Sequence, residues 1–275
     1  MEVGKEFVDL ASYNKNMAKG MEDKLFFLNH FDWHKNYVFV DFGCADGTMI
    51  STMFDIFKQE KEYNNDIFIG YDISETMIEF AKTKFSQSTD NVFFTTNWND
   101  VLSKLNSSKH KKKILILSSV IHEVFSYAKN NDDIIDFWNK VLNTGFDYIF
   151  VRDMMVSSDI NRTKPNTYPK LIFNNHFEQL KDFEEKWGTI DNNENLVHFL
   201  LKYRWKINWN RELNENYFPI YIEEFLKQMK GYNIDYFERF RVPFLENCWK
   251  EEFGIQIDDF THIKAIFSKS KASNN

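Results

Sequence analysis

The chain has 275 residues, 43% of them hydrophobic and 17% aromatic, with Gly 9 and Pro 4. That can bury the core of one large α/β domain with an insertion, or of two small domains, and it excludes a linker-rich or disordered protein. A formal net charge of −7 argues against a broad electrostatic footprint on nucleic acid, and the two cysteines, Cys44 and Cys248, lack the spacing of a disulfide framework or zinc ribbon.

The N-terminus has no continuous apolar run of the secretory kind, and no stretch approaches the ~18 apolar residues of a membrane span. A soluble, cytoplasmic protein in a reducing compartment is expected, as a monomer or homodimer. Residues 5–31 carry apolar residues at helical spacing and predict an N-terminal helical cap over 1–34. YVFVDF at 37–42 predicts the first strand, followed by a helix over 47–60. DIFIGYD at 66–72 predicts the second strand, and Ser74 is a good N-cap for the helix after it. NVFFTTN at 91–97 predicts the third strand, with a short helix near 100–105. The apolar run at 114–118 predicts a fourth strand buried on both faces, then a helix over 130–143 and a fifth strand over 147–155.

Strands alternating with helices at this spacing imply right-handed βαβ units and a parallel sheet. The rhythm breaks at 157–217, an aromatic and polar stretch read as a helical insertion. A helix ended by Gly231 follows, then two β-like runs, IDYFERFRVPF and THIKAIFSK, expected as an antiparallel pair at the sheet edge. The fold class is therefore α/β: a Rossmann-like, mostly parallel seven-stranded sheet with helices on both faces and an antiparallel edge. Its core is expected over 35–156 and 218–270, with the insertion serving as substrate pocket or lid.

The turn Asp41-Phe42-Gly43-Cys44-Ala45-Asp46-Gly47-Thr48 follows the first strand. Parallel α/β sheets bind ligands at the carboxyl ends of their strands, and a bare turn there lets a ligand touch the backbone. Two carboxylates suit a phosphate poorly and a cation well. Asp72, at the end of the second strand, is placed to accept both hydroxyls of a ribose. A nucleoside without phosphates, joined to a cationic group, satisfies both observations, and S-adenosylmethionine is such a molecule.

VDFGCADGT, GYDIS with TMIEFAK, and ILSSVIHEV together resemble the class I S-adenosylmethionine-dependent methyltransferases. That family's first motif is an acidic residue followed by glycines at alternate positions. Gly43 and Gly47 keep this pattern, and Ala45 departs from it. The resemblance implies that Asp41 and the turn Gly43, Cys44, Ala45, Gly47 and Thr48 hold the methionine part of the cofactor, which leaves as S-adenosylhomocysteine. It places Asp72 on the ribose and Ile73 and Met77 beside the adenine. Asn97 would reach the adenine edge and Trp98 would pack on it. Ser118 and Ser119 complete the site, and Tyr13 closes over it.

The same resemblance turns LSSVIHEVFSY toward the transferred methyl and makes His122, Glu123 and Arg152 the candidate catalytic residues. A histidine near its ordinary pKa can take a proton from an acceptor hydroxyl or amine. Tyr203, Arg204, Trp209 and Tyr217, with Trp205 and Arg211 between them, are the candidate substrate-binding residues of the insertion. No metal site is expected. His122 and Glu123 are adjacent and would point about 100° apart on a helix, while His30 and His34 lack a third ligand. The expected activity is methyl transfer to an oxygen or nitrogen of a small-molecule acceptor. The rivals are an RNA methyltransferase, which needs a basic face from 202–211 and 109–113, and a cofactor-binding scaffold without turnover.

Overall fold

The computed structural model describes residues 20–31, 36–59, 65–85, 89–162 and 169–270, the side chains at 22 and 162–175 excepted. Seven strands form one sheet: β1 (Tyr37–Phe42), β2 (Ile67–Tyr71), β3 (Val92–Thr95), β4 (Lys112–Ser118), β5 (Tyr148–Met154), β6 (Tyr232–Phe240) and β7 (His262–Lys269). Their order is β3-β2-β1-β4-β5-β7-β6. The first five are parallel, and β7 runs antiparallel to both β5 and β6. The strand order reverses between β1 and β4, so a crevice is expected above their carboxyl ends.

All six residues of β1 are buried, as a central parallel strand covered on both faces requires. Val38, Val40 and Phe42 face one way, with Leu115, Leu117, Ile149 and Val151, under α3 (Trp98–Ser107), α5 (Asn131–Asn143) and α9 (Ile222–Gln228). Tyr37 and Phe39 face the other way, with Phe68, Ile114, Ile116 and Phe150, under α1 (Thr48–Gln59) and α2 (Glu75–Lys84). The period-two alternation of β1 thus sorts its side chains between two hydrophobic layers. Asp41 falls on the second face.

The described part of the N-terminal segment departs from the expected continuous helix. Met21–Lys24 is a single helical turn and Phe26–Asn29 a 3-10 turn. Phe26 and Phe27 pack against the sheet, Phe27 stacking on Phe150 at 4.9 Å. Two helices escaped the sequence reading. α4 (Ile121–Tyr127) follows β4 directly, and α10 (Pro243–Phe253) lies between the edge strands, where IDYFERFRVPF was expected to stay extended through Phe244. Pro243 at the first turn and left-handed Gly254 at its end are the signals that mark α10. Gly231 has no left-handed φ and sits in the turn into β6, so α9 ends at Met229 without a glycine cap.

Between β5 and α9 lie α6 (Pro169–Trp187, interrupted at His176), α7 (Asn193–Lys202) and α8 (Trp209–Asn214). Their apolar faces share a third core with Trp249, Phe253, Ile255 and Ile257. The helical layer therefore draws on a second stretch, between β6 and β7, besides 157–217. Among the described residues no helix is long and apolar enough to cross a membrane.

Candidate active site

The turn after β1 is tied to β2. Gly43 and Cys44 donate their amides to the Tyr71 carbonyl at 2.8 and 3.1 Å. Gly43, Ala45 and Gly47 all have positive φ, at 78°, 46° and 70°. A Cβ on Gly43 would lie 2.6 Å from Val120 Cγ2, and one on Gly47 2.7 Å from the Phe94 ring, so these two positions admit only glycine. Ala45 shows why the alternating pattern favours glycine there too, because it holds a conformation that costs an L-residue about 1–2 kcal/mol.

Asp72 fastens this turn. Its Oδ2 accepts the Ala45 amide at 2.9 Å and its Oδ1 accepts the Ser74 amide at 2.9 Å. Burial raises the Asp72 pKa. Asp41 is 2% exposed. Burial pushes it up to about 7, with Asp72 adding to the rise and Lys24 opposing it. Burial in turn lowers Lys24 to about 8. A desolvated carboxylate at the sheet's carboxyl edge favours a cationic ligand.

Asp46 is a helix-cap residue: it caps α1 through the Thr48 amide and hydroxyl and pairs with Lys84 at 2.8 Å. Cys44 is buried, and burial raises its thiol well above the ordinary range, which leaves it a packing residue. Met77 is buried on α2, and Ile73 is half-buried beside Asp72. Asn97 is exposed and caps α3, accepting the Asn99 amide at 3.0 Å. Trp98 packs on Phe42 and Tyr71. Ser118 Oγ is buried with no hydrogen-bond partner among the described residues. Ser119 takes a positive φ of 56°, and its hydroxyl accepts Arg152 Nη1 at 3.0 Å. Tyr13 lies outside the described residues.

Arg152 is engaged within the protein. Its Nε and Nη2 both bond Asp23 Oδ2, at 2.9 and 2.7 Å, while Lys264 holds Asp23 Oδ1 at 2.6 Å. This cluster pins the N-terminal turn to β5 and β7. His122, 4% exposed, places Nδ1 2.6 Å from Asp153 Oδ1. Asp153 is fully buried, and its other oxygen accepts the Val120 and Ile121 amides at 3.0 and 2.7 Å. Burial alone would lower the His122 pKa. Asp153 outweighs it, with Glu215 and Glu123 adding, and the value rises to about 9. Asp153 thus clamps the imidazole to β5 and favours its protonated form, which disfavours a role as general base.

The sequence reading missed what lies on the other side of His122. Glu215, just after α8, sets Oε2 3.9 Å from His122 Nε2. Tyr127 and Arg211 Nη2 both bond Glu215 Oε1, each at 2.9 Å, and the same Nη2 bonds Glu123 Oε1 at 3.0 Å. Burial, then Glu212 and Glu123, push Glu215 up to about 7. Lys202, fully buried, donates to the Glu212 and Glu215 carbonyls and sits 4.0 Å from the Tyr217 ring. Apart from Arg211, four residues away, the side-chain partners of Glu215 are distant in sequence, Tyr127 and His122 among them, so no local pattern marks it.

Of the insertion candidates, Tyr217 meets this cluster beside Arg211, its ring edge-on to His122 at 5.5 Å. Tyr203 is wholly buried in the third core with its hydroxyl on Glu252, and Arg204 pairs with Glu252. Trp209 is buried with its Nε1 on Asp182 at 2.9 Å. Tyr203 and Arg204 are thus turned to α10 through Glu252, and Trp209 to α6 through Asp182.

A parallel α/β sheet with a glycine-lined, acid-floored turn at its switch point defines a Rossmann-like ligand-binding domain. A family model described as "Methyltransferase domain" matches residues 33–181, more than half of the chain, and the chain belongs to that family. Solved structures similar to it include an S-adenosylmethionine-dependent methyltransferase from Anabaena variabilis (10% identity, 98% of this chain and 88% of that one, TM-score 0.49). Another, from Mesorhizobium loti, shows 13% identity over 90% of this chain and 98% of that one, with a TM-score of 0.48. The human N-acetylserotonin methyltransferase shows 12% identity, 94% and 55% coverage, and a TM-score of 0.47. Comparison with curated protein sequences gives no match.

Proposed function

We propose that the chain is an S-adenosylmethionine-dependent methyltransferase acting on an oxygen or nitrogen nucleophile of a small-molecule acceptor. The observation that carries this is the buried Asp41 carboxylate beside the left-handed Gly43–Ala45–Gly47 turn at the β1/β4 switch point, with Asp72 ending the neighbouring strand. The residues fit the cofactor. A desolvated carboxylate matches its cationic part, and the buried Ser118 hydroxyl lacks a partner that a polar ligand atom would supply. When bound, the sulfonium supplies an electrophilic methyl group.

The chain's task is then to align the acceptor and exclude water. Asp41 and the turn would hold the methionine end, and Asp72 the ribose. His122, Glu123 and Tyr217 would line the acceptor side, with His122 held in place by Asp153. A basic face over 202–211 is not supported, because Lys202 is buried and Arg204 and Arg211 are paired with glutamates.

The test is calorimetry with the cofactor, followed by labelled S-adenosylmethionine and a fractionated small-molecule extract. Saturable binding and label in a low-mass fraction are expected. Absence of binding at millimolar cofactor would sink the reading.

A further inference from the structure

The pairing of His122 with Glu123 alone offered no metal site, but the fold brings Glu215 to them. One ligand atom from each of the three lies within 4.8 Å of the others. We propose that His122 Nε2, Glu123 and Glu215 bind a divalent metal ion of the Zn²⁺ or Mn²⁺ class on the acceptor side of the crevice. What the ion would do for an acceptor rests on the proposed reaction; that it binds does not.

The first support is orientation. Asp153 holds His122 Nδ1 at 2.6 Å and is itself fixed by two backbone amides, so the ring presents Nε2 to Glu215. A buried carboxylate on the far nitrogen is the usual outer partner of a metal-bound histidine. The second is spacing. Nε2 and Glu215 Oε2 are 3.9 Å apart, too far for a hydrogen bond. Ligand bonds of about 2.0–2.2 Å to one ion put donor atoms roughly 3–4 Å apart.

The third is charge. Glu123, Asp153, Glu212 and Glu215 are opposed in the immediate cluster by Arg211 and Lys202. An ion that takes the place of the proton on His122 Nε2 finds four carboxylates against two cations, a surplus of two negative charges. A divalent ion cancels it. Arg211 engages Oε1 of both glutamates and leaves Glu215 Oε2 turned to His122. The Glu123 side chain is 31% exposed where His122 and Glu215 are 4% and 3%, which gives the ion an entrance and a face toward an acceptor. One imidazole with two carboxylates suits Zn²⁺ or Mn²⁺ better than a softer ion.

The experiment uses the full chain, free of any histidine tag and stripped with chelator. Mn²⁺ is titrated by electron paramagnetic resonance and Zn²⁺ by calorimetry. One ion per chain is expected. Affinity should fall about tenfold or more in Glu215→Gln, Glu123→Gln and Asp153→Asn, and stay unchanged in the surface control Glu79→Gln. Glu123→Gln, at the exposed mouth, keeps the test valid if the buried variants misfold. Absence of saturable binding at millimolar ion, or equal affinity in Glu123→Gln and wild type, overturns the proposal. Cofactor calorimetry on the same samples separates the two ideas: ion binding without cofactor binding would sink the methyltransferase reading alone, and the reverse would sink the metal site alone.

Discussion

Asp72 Oδ2 receives the Ala45 amide across the gap between β2 and the turn after β1, at 2.9 Å. One carboxylate thereby sets the backbone of the turn and, in the proposed function, would also hold the ribose. The two duties are separable by substitution.

Asp72→Ala removes the acceptors of the Ala45 and Ser74 amides and should weaken cofactor binding by about tenfold to a hundredfold, or ~1.4–3 kcal/mol. Asp72→Asn keeps one acceptor oxygen and should lose less. Calorimetry on both checks this; unchanged affinity in Asp72→Ala would remove the residue from the ribose site.

The turn itself makes opposite predictions at neighbouring positions. Gly43→Ala adds a methyl 2.6 Å from Val120 Cγ2 at a positive φ, and should destabilise by about 1–3 kcal/mol. Ala45→Gly relieves a left-handed alanine and should leave stability within about 1 kcal/mol of wild type, or above it. Denaturant midpoints of the two variants give the answer.

Asp41 predicts a pH dependence. Its folded pKa, about 7, lies above the ordinary carboxylate value, so the fold binds this proton more tightly than the unfolded chain. Its contribution to stability is therefore present in full below pH ~4 and is lost as pH rises through about 7. Asp41→Asn should remove that part of the slope, gain stability relative to wild type near pH 8, and bind the cationic cofactor less well. Thermal melts of both proteins from pH 5 to 8 check the sign.

Arg152 offers a choice between structure and substrate. Its guanidinium holds Asp23, which Lys264 also holds. Asp23→Ala should leave two cations facing each other and cost on the order of 1–3 kcal/mol, less than a fully buried pair because Asp23 retains some exposure. Arg152→Ala should lower stability similarly. A raised KM with an unchanged melting temperature would instead place Arg152 on an acceptor.

Much of the fold was legible before any coordinates. The alternation in YVFVDF, the Ser74 cap and the apolar run 114–118 each encode local preferences that survive packing, so the five parallel strands and the turn at 41–48 follow from neighbours in sequence. Two helices were not legible: α4 is one short stretch of seven residues directly behind a buried strand, and α10 follows so closely on the β-like run IDYFERF that only Pro243 and Gly254 mark it.

The amino-acid sequence by itself carried the expectation of a ligand class: two aspartates and two glycines at fixed spacing at one sheet edge form the pattern that favours a cation and a pair of sugar hydroxyls. Tertiary structure decided which polar side chains stay available. It turned Arg152 to Asp23, Asp46 to Lys84 and Tyr203 into a core, and it carried Glu215 to His122. Those outcomes depend on contacts between residues tens of positions apart, and a buried charge settles on whichever partner the folded chain brings within a few ångströms.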